Sequence, residues 1–230
     1  IVDQVGFNVP KSLINKRVWF FNGQRLGRAY GSAAEFIALD KNFVTPLADN
    51  ISFEEGATLG IPAMTAYHSV FSDGPVSGKT ILVTGGSGAV GFYAVSLASW
   101  GGAKVIATVS NSSKAQNAIS GGAKDTINYK TEDIVTRVAK LTDGKGVDRI
   151  ISVDFADSLK WLTNVISENG TVVAYASDTN RTPQIDFFQF MRKNTQIRPF
   201  ILNSLPQKNL DEARLGINEW LSAVPNALRP

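Results

Sequence analysis

The stretch TILVTGGSGAVGFYAVSLASWGGAKVIAT, Thr80–Thr108, decides how the rest of the chain is read. Thr80–Thr84 is a short apolar run rich in β-branched residues, as a buried parallel strand requires. Gly86-Ser87-Gly88-Ala89-Val90-Gly91 follows and fits G-x-G-x-x-G. Next comes a helical pattern that places Val90, Ala94, Leu97 and Ala98 on one face, stopped by Gly101-Gly102. A second apolar strand, Lys104–Val109, completes a strand–glycines–helix–strand order. Gly86 suits a tight turn off the strand. Gly88 lets a pyrophosphate approach the backbone. Gly91 lets the helix pack closely on the sheet. The first N–H groups of the helix then face the phosphates with the positive end of its dipole. The six-residue pattern alone is weak, but in this order it points to dinucleotide binding.

About 20 residues past the glycines, an NAD site places Asp or Glu on the ribose 2′-hydroxyl. Here the strand runs instead into Val109-Ser110-Asn111-Ser112-Ser113-Lys114. No carboxylate repels a 2′-phosphate, and hydroxyls, an amide and an ammonium are at hand. A charge-assisted hydrogen bond of that kind is worth roughly 1.5–3 kcal/mol. The pattern favours NADP(H). Ser112 or Ser113 would also serve to cap the next helix, with Lys114 solvated in its first turn.

The 230 residues are 43% hydrophobic, enough for one large or two small domains with a sizeable core. The net charge of +3 is spread along the chain, and the longest basic runs are pairs such as Lys16-Arg17 and Arg192-Lys193. Nucleic acid is therefore not an expected partner. No apolar run is long enough to span a bilayer, and the expected location is the cytoplasm. The chain has no cysteine and one histidine, His68. No metal site is expected, since zinc would have to be held mainly by carboxylates.

Ahead of the decisive stretch, Arg17–Phe21 and Ser32–Leu39 read as strands of a small β-rich unit, with Asn22–Gly31 as the loop between them. Ser52-Phe53-Glu54-Glu55 has capping-box spacing, so a helix starts near Phe53. Pro62 interrupts it, Met64–Phe71 resumes as a second helix, and Asp73-Gly74-Pro75 stops that one. Beyond Thr108, strands are expected at Asp125–Tyr129, Asp148–Asp154, Thr171–Ala176 and Thr195–Leu202. Helices are expected over Thr131–Leu141 with Thr131 as N-cap, over Ser158–Ile166 and over Leu210–Ala223. The alternation implies an α/β fold with a doubly wound parallel sheet. Such a sheet binds ligands beyond the carboxyl ends of its strands. The facing loops are then Gly85–Val90, Ser110–Lys114, Val153–Ala156 and Ala176–Asp178. Tyr129 is within reach of the adenosine end. Asp154 suits either a cofactor ribose or a helix cap.

The order of a small β unit, GIPAMTAY (Gly60–Tyr67), VTGGSGAVG, SNSSKAQ, INY and VVAYAS resembles the zinc-independent quinone oxidoreductases. These are the zeta-crystallin-like branch of the medium-chain dehydrogenase/reductases. The resemblance covers essentially the whole chain and implies two parts. Residues 1–52 would be a partial GroES-like catalytic domain, and residues 53–230 a Rossmann NADP(H)-binding domain. It also implies that the opening strands of the GroES-like part and the closing return segment are missing here, and with them much of the substrate cleft. Position by position, Thr65 matches a threonine near the nicotinamide. Gly88, Ala89 and Val90 match the pyrophosphate loop. Ser110 and Lys114 match the 2′-phosphate contacts, and Tyr129 an adenosine-side tyrosine. Ala176 and Ser177 match backbone contacts after the fifth strand, and Arg198 an Arg-Pro step on the sixth. The zinc-dependent relatives carry a cysteine at the position near Ile61 and a four-cysteine lobe, both absent. A short-chain dehydrogenase pattern starting at Thr84 would need glycine at Ala89, and no tyrosine has Lys four residues on.

The expected activity is transfer of a hydride from NADPH to a quinone or α,β-unsaturated carbonyl. Such an acceptor is already electrophilic, so the protein's tasks are alignment and a hydrogen-bond donor for the developing oxyanion. Candidate donors are Thr65, Asn22 and Tyr67, while Tyr67 equally suits a core aromatic and His68 a structural histidine. Met64 and Trp100 are expected to be packing residues. The competing reading is a non-catalytic NADPH-binding protein, which turnover would separate. The resemblance also implies a homodimer, paired through the edge strand at residues 195–202.

Overall fold

The computed structural model describes residues 1–24, 27 and 29–224. Six strands form one wholly parallel sheet: β3 (Thr80–Val83), β4 (Lys104–Val109), β5 (Asp125–Asn128), β6 (Val147–Ser152), β7 (Ile166–Ala174) and β8 (Gln196–Pro199). Their spatial order is β5-β4-β3-β6-β7-β8. The chain thus starts mid-sheet, winds one way, crosses back and winds the other, as a Rossmann fold does. Register is simple around the centre: Val83 lies opposite Ala107 on β4 and Ile151 on β6. The central strands β3 and β4 are buried on both faces, which is why they read as apolar runs.

Alternate side chains along each strand feed two cores. Ile81, Val83, Ala107 and Ile151 face one layer, made of α1 (Phe53–Phe71), α2 (Ala89–Trp100), α3 (Ser112–Ser120) and α8 (Gln207–Ala223). Leu82, Ile106, Ile127, Ile150 and Val172 face the other, covered by α4 (Ile134–Leu141), α6 (Leu162–Val165) and α7 (Phe187–Arg192). A separate antiparallel ribbon, β1 (Val18–Phe20) with β2 (Val44–Pro46), joins the first core through Trp19, Phe21 and Leu47. Trp19 Nε1 donates to Asn218 Oδ1 of α8 at 3.2 Å, and Arg214 of α8 donates to the carbonyls of Asn42 and Val44.

Several elements differ from the sequence reading. The partner of β1 is Val44–Pro46, and Ser32–Leu39 holds no strand. Its side chains at 32–36 are all exposed, so no alternation of burial supports one. Part of the Asn22–Gly31 loop, residues 25, 26 and 28, lies outside the described residues, as do residues 225–230. Helix α1 runs through Pro62 and leaves helical geometry at Gly60 instead. A Cβ at Gly60 would lie 3.1 Å from the Phe20 carbonyl, so the kink seats the helix against β1. The cap of α4 is Asp133, whose carboxylate accepts from Thr136 N at 2.8 Å, rather than Thr131. In place of one helix over Ser158–Ile166 there are α5 (Phe155–Ser158) and α6, and β7 begins at Ile166 with a register shift against β6. Strand β8 ends at Pro199, and Leu202–Ser204 is a 3-10 turn.

Candidate functional site

The glycine loop is strapped into place by its neighbours. Gly85 N–H donates to Thr108 Oγ1 at 3.1 Å and Gly86 N–H to the Thr108 carbonyl at 3.0 Å. On the other side, Val153 N–H donates to Thr84 Oγ1 at 2.8 Å. The left-handed turn residue is Gly85, at φ +62°, and not Gly86 as the motif suggests. Gly86 answers to packing: a Cβ there would lie 2.6 Å from that of Ala107. A Cβ on Gly91 would lie 2.1 Å from the Gly85 carbonyl oxygen, which locks the start of α2 onto the loop. Phe92 N–H donates to the Gly88 carbonyl at 2.8 Å. The N–H groups of Ala89, Val90 and Gly91 therefore precede the helical ladder.

This loop opens into a cleft of about 1050 Å³ between β1 with the residues that follow it, the first half of α1 and the start of α2. Asn22 lines it opposite Ser87, Gly88 and Ala89. Asn22 is 7% exposed, sits at φ +58°, and its Oδ1 is buried with no hydrogen-bond partner. Tyr93 also lines it, with its hydroxyl 2.5 Å from that of Thr58. Thr58 already gives its proton to the Glu55 carbonyl at 2.7 Å, so Tyr93 is the donor of this pair. Burial pushes the Tyr93 phenol pKa up and keeps it protonated.

A second cavity, about 460 Å³, is lined by Ser87, Ser113, Lys114 and Asn117. It shares Ser87 with the cleft. Asn117 Nδ2 donates to Ser87 Oγ at 3.0 Å and so ties α3 to the glycine loop. The cap of α3 is Asn111, which accepts from Lys114 N at 2.9 Å, and neither Ser112 nor Ser113. Lys114 is exposed and Ser110 half-buried. Tyr129 is also exposed, and its N–H donates to the Val109 carbonyl at 3.1 Å beside them.

A third cavity, about 890 Å³, lies beyond β6, β7 and β8, and Ala176 and Ser177 line it. Phe155 N–H donates to the Ala176 carbonyl at 3.0 Å. Asp154 caps α5 by accepting from Asp157 N, and also accepts from Thr179 N at 2.9 Å and from the Thr179 hydroxyl. Its carboxylate is thus engaged by protein donors.

Several residues singled out from sequence lie outside these cavity linings, Ser110 and Tyr129 beside the second cavity and Thr65, Tyr67 and Arg198 elsewhere. Thr65 is buried within α1, its carbonyl accepting from Ser69 Oγ at 2.8 Å. Tyr67 packs on α8, so tightly that a Cβ on Gly216 would meet its ring. Arg198 is exposed on β8, donates to Gln196 Oε1 at 3.2 Å, and acts electrostatically on His68 and Asp73. His68 stands edge-on to Phe200 at 4.7 Å, and burial, then Arg198, hold its pKa down. Met64 is fully buried and Trp100 packs against Phe71. The sequence reading missed Arg149, 1% exposed in β6, where it donates to the Ser69 carbonyl at 2.8 Å and to Asp73. Its signal was the charged pair Asp148-Arg149 at the head of the apolar run Ile150-Ile151.

Residues 89–215 match the zinc-binding dehydrogenase family. The quinone oxidoreductase of Rattus norvegicus is 29% identical over 174 residues, 75% of this chain and 51% of the relative. Quinone oxidoreductase 1 of Escherichia coli is 31% identical over 180 residues, 78% of this chain and 54% of the relative. The solved quinone oxidoreductase of Pseudomonas syringae superposes with a TM-score of 0.71 at 27% identity, covering 80% of this chain and 57% of that one. The chain therefore spans about half the length of the curated relatives it matches.

Proposed function

Because the chain belongs to the zinc-binding dehydrogenase family, we propose that it is an NADPH-dependent oxidoreductase that reduces a quinone or α,β-unsaturated carbonyl without zinc. The observation that carries this reading is the continuity from the glycine loop to Lys114: one cavity joins them through Ser87, with no carboxylate in the stretch after β4.

The donor set of this chain does not fit zinc. It has no cysteine, and its single histidine is wedged against Phe200. Among the described residues, no three His, Cys, Asp or Glu side chains gather where they could hold a metal ion. The loop does fit a dinucleotide. Gly88 leaves no side chain at the start of α2 while Gly86 and Gly91 let the loop pack tightly beneath it, and the N–H groups of Ala89 and Val90 would receive the pyrophosphate. Ser110 and Lys114 would hold the 2′-phosphate, Tyr129 would flank the adenosine, and the backbone of Ala176 and Ser177 would meet the nicotinamide end. Asn22 offers an unpartnered buried acceptor on the cleft wall, suited to a hydroxyl or amide donor of the ligand. Thr65, Tyr67 and Arg198 would act from behind the lining, through the packing of α1 and β8. When bound, the reduced nicotinamide supplies the hydride. The protein orients the acceptor, excludes water and donates to the oxygen that gains charge.

Residues 1–52 would contribute one wall of the catalytic domain and residues 53–230 the cofactor domain. Two copies would pair through the open edge of β8. No helix among the described residues is long and apolar enough to cross a membrane, and we place the protein in the cytoplasm with a small-molecule substrate and no nucleic-acid partner.

The test is oxidation of NADPH and NADH side by side, with 9,10-phenanthrenequinone and 2-hexenal as acceptors. NADPH should be preferred, and Lys114→Ala should weaken it by about 10–100-fold, the loss of one charge-assisted hydrogen bond. NADH should be unaffected by that change. Equal use of both cofactors by the wild type would reject the 2′-phosphate assignment. NADPH binding with no turnover would favour a non-catalytic binding protein.

A further inference from the structure

The third cavity has a chemistry of its own. Its walls are largely apolar, with Phe155, Ile197, Phe200 and Ile201 among them. Of its polar groups, Asp178, Arg181 and Ser204 are exposed, and Ser177 Oγ is already donating to the Asn180 carbonyl at 2.7 Å. Tyr175 is the exception. It follows the last residue of β7, packs its ring against the core shared with α1 and α8, and lines the cavity. Its hydroxyl makes no hydrogen bond to a described residue, and burial alone pushes the phenol pKa up. At neutral pH it is therefore a protonated donor not committed to another described residue. An uncommitted polar group in a half-buried, mostly apolar pocket is the pattern of a ligand-orienting contact. Ala176 and Ser177, assigned above to the nicotinamide end, are its immediate neighbours and line the same space.

We propose that the third cavity receives the flat conjugated body of the acceptor and that Tyr175 donates the hydrogen bond to its carbonyl oxygen. This rests on the reading of the chain as an NADPH-dependent reductase. In the step so described, the acceptor carbon gains a C–H bond with the hydride electron pair, and NADPH is oxidised to NADP⁺. The π pair of the acceptor moves onto its carbonyl oxygen. Tyr175 stabilises that oxygen by donation, and water supplies the proton that completes the reduced product. A phenol held protonated by burial suits donation rather than proton transfer.

The variant is Tyr175→Phe in the full chain, which keeps the ring and removes only the hydroxyl. Two readouts are taken. The first needs no turnover: the infrared carbonyl stretch of 9,10-phenanthrenequinone bound in the presence of NADP⁺. Donation lowers that stretch in the wild type, and Tyr175→Phe should abolish the lowering. The second is kcat for each acceptor. The loss should reach about 100-fold with 2-hexenal, as for removal of an oxyanion donor, and be smaller with the more electrophilic quinone. NADPH affinity and melting temperature should not change. An equal carbonyl stretch in both proteins, or equal kcat values, would overturn the role of Tyr175. A shifted stretch in a wild type that oxidises no NADPH would instead leave the site standing and reject the reductase reading.

Discussion

Arg149 shows what a single residue asks of this fold. A guanidinium cannot lose its charge at any relevant pH, so inside a strand it must be answered by acceptors. The Ser69 carbonyl and Asp73 answer two of its nitrogens, while Nε has no partner. Both acceptors come from the C-terminal end of α1 and the turn after it, so the pair pins that helix end to β6. Removing one member of a buried ion pair costs about 3–5 kcal/mol, whereas replacing both by apolar groups is often near neutral. Asp73→Asn should therefore lower stability in urea by about 3 kcal/mol, and adding Arg149→Met should recover most of the loss. Equal losses in the single and double variants would reject the pairing as the cause. The pH dependence has a definite sign. Burial raises the Asp73 pKa, but the hydrogen bond and charge of Arg149, with the charges of Arg198 and Lys79, outweigh it and leave it lowered. With the folded pKa below the unfolded value of about 3.9, this stabilisation is present above that pH and is lost as pH falls through the folded value. Asp73→Asn should flatten that part of the acid limb.

At the scale of elements, the start of α1 is the clearest case of local sequence deciding local structure. Ser52 Oγ accepts from Glu55 N at 3.1 Å, and Glu55 Oε2 accepts from Ser52 N at 2.7 Å, the reciprocal pair implied by S-F-E-E. Ser52→Ala should cost about 1 kcal/mol in urea unfolding, and a loss below the measurement error would show the box to be redundant with tertiary packing. The central parallel strands β3 and β4 were equally legible, since burial on both faces writes itself as an apolar run. Other elements were not. Helix α7 exposes Phe187, Phe188 and Met191, so its apolar residues trace no buried stripe. The kink in α1 arises at Gly60, two residues before the proline that suggested it, because the Phe20 carbonyl approaches there. No local pattern reports such a contact across 40 residues. The same limit explains the site. The glycine loop is local and could be read from spacing. The turning of Tyr67 onto Gly216 and the open hydroxyl of Tyr175 depend on which helices cover the sheet.

The whole molecule is a sheet with two open ends, and they are not alike. Both edge strands are short and each carries a charge, Asp125 on β5 and exposed Arg198 on β8. What sets the β8 edge, Gln196–Pro199, apart is the apolar surface near it. Beside it in sequence stand exposed Phe187 at 70%, Phe188, Met191 and Ile201. Apolar side chains in such numbers next to an unpaired strand are the makings of a self-complementary interface across a two-fold axis. The proposed dimer follows, and light scattering should give about twice the 24.8 kDa of one chain. Phe187→Glu combined with Ile201→Lys would set charges, which are expensive to desolvate, into the middle of that interface. Neither side chain is buried within the chain, so the variant should keep its melting temperature at low concentration while shifting to the monomer mass. A wild type of monomer mass across working concentrations would remove the dimer. A variant that stays dimeric would move the interface away from the β8 edge. The outcome also bears on the acceptor cavity, because Ile201 belongs to its wall. A twin seated at this edge would cover one side of that space and help keep water from Tyr175.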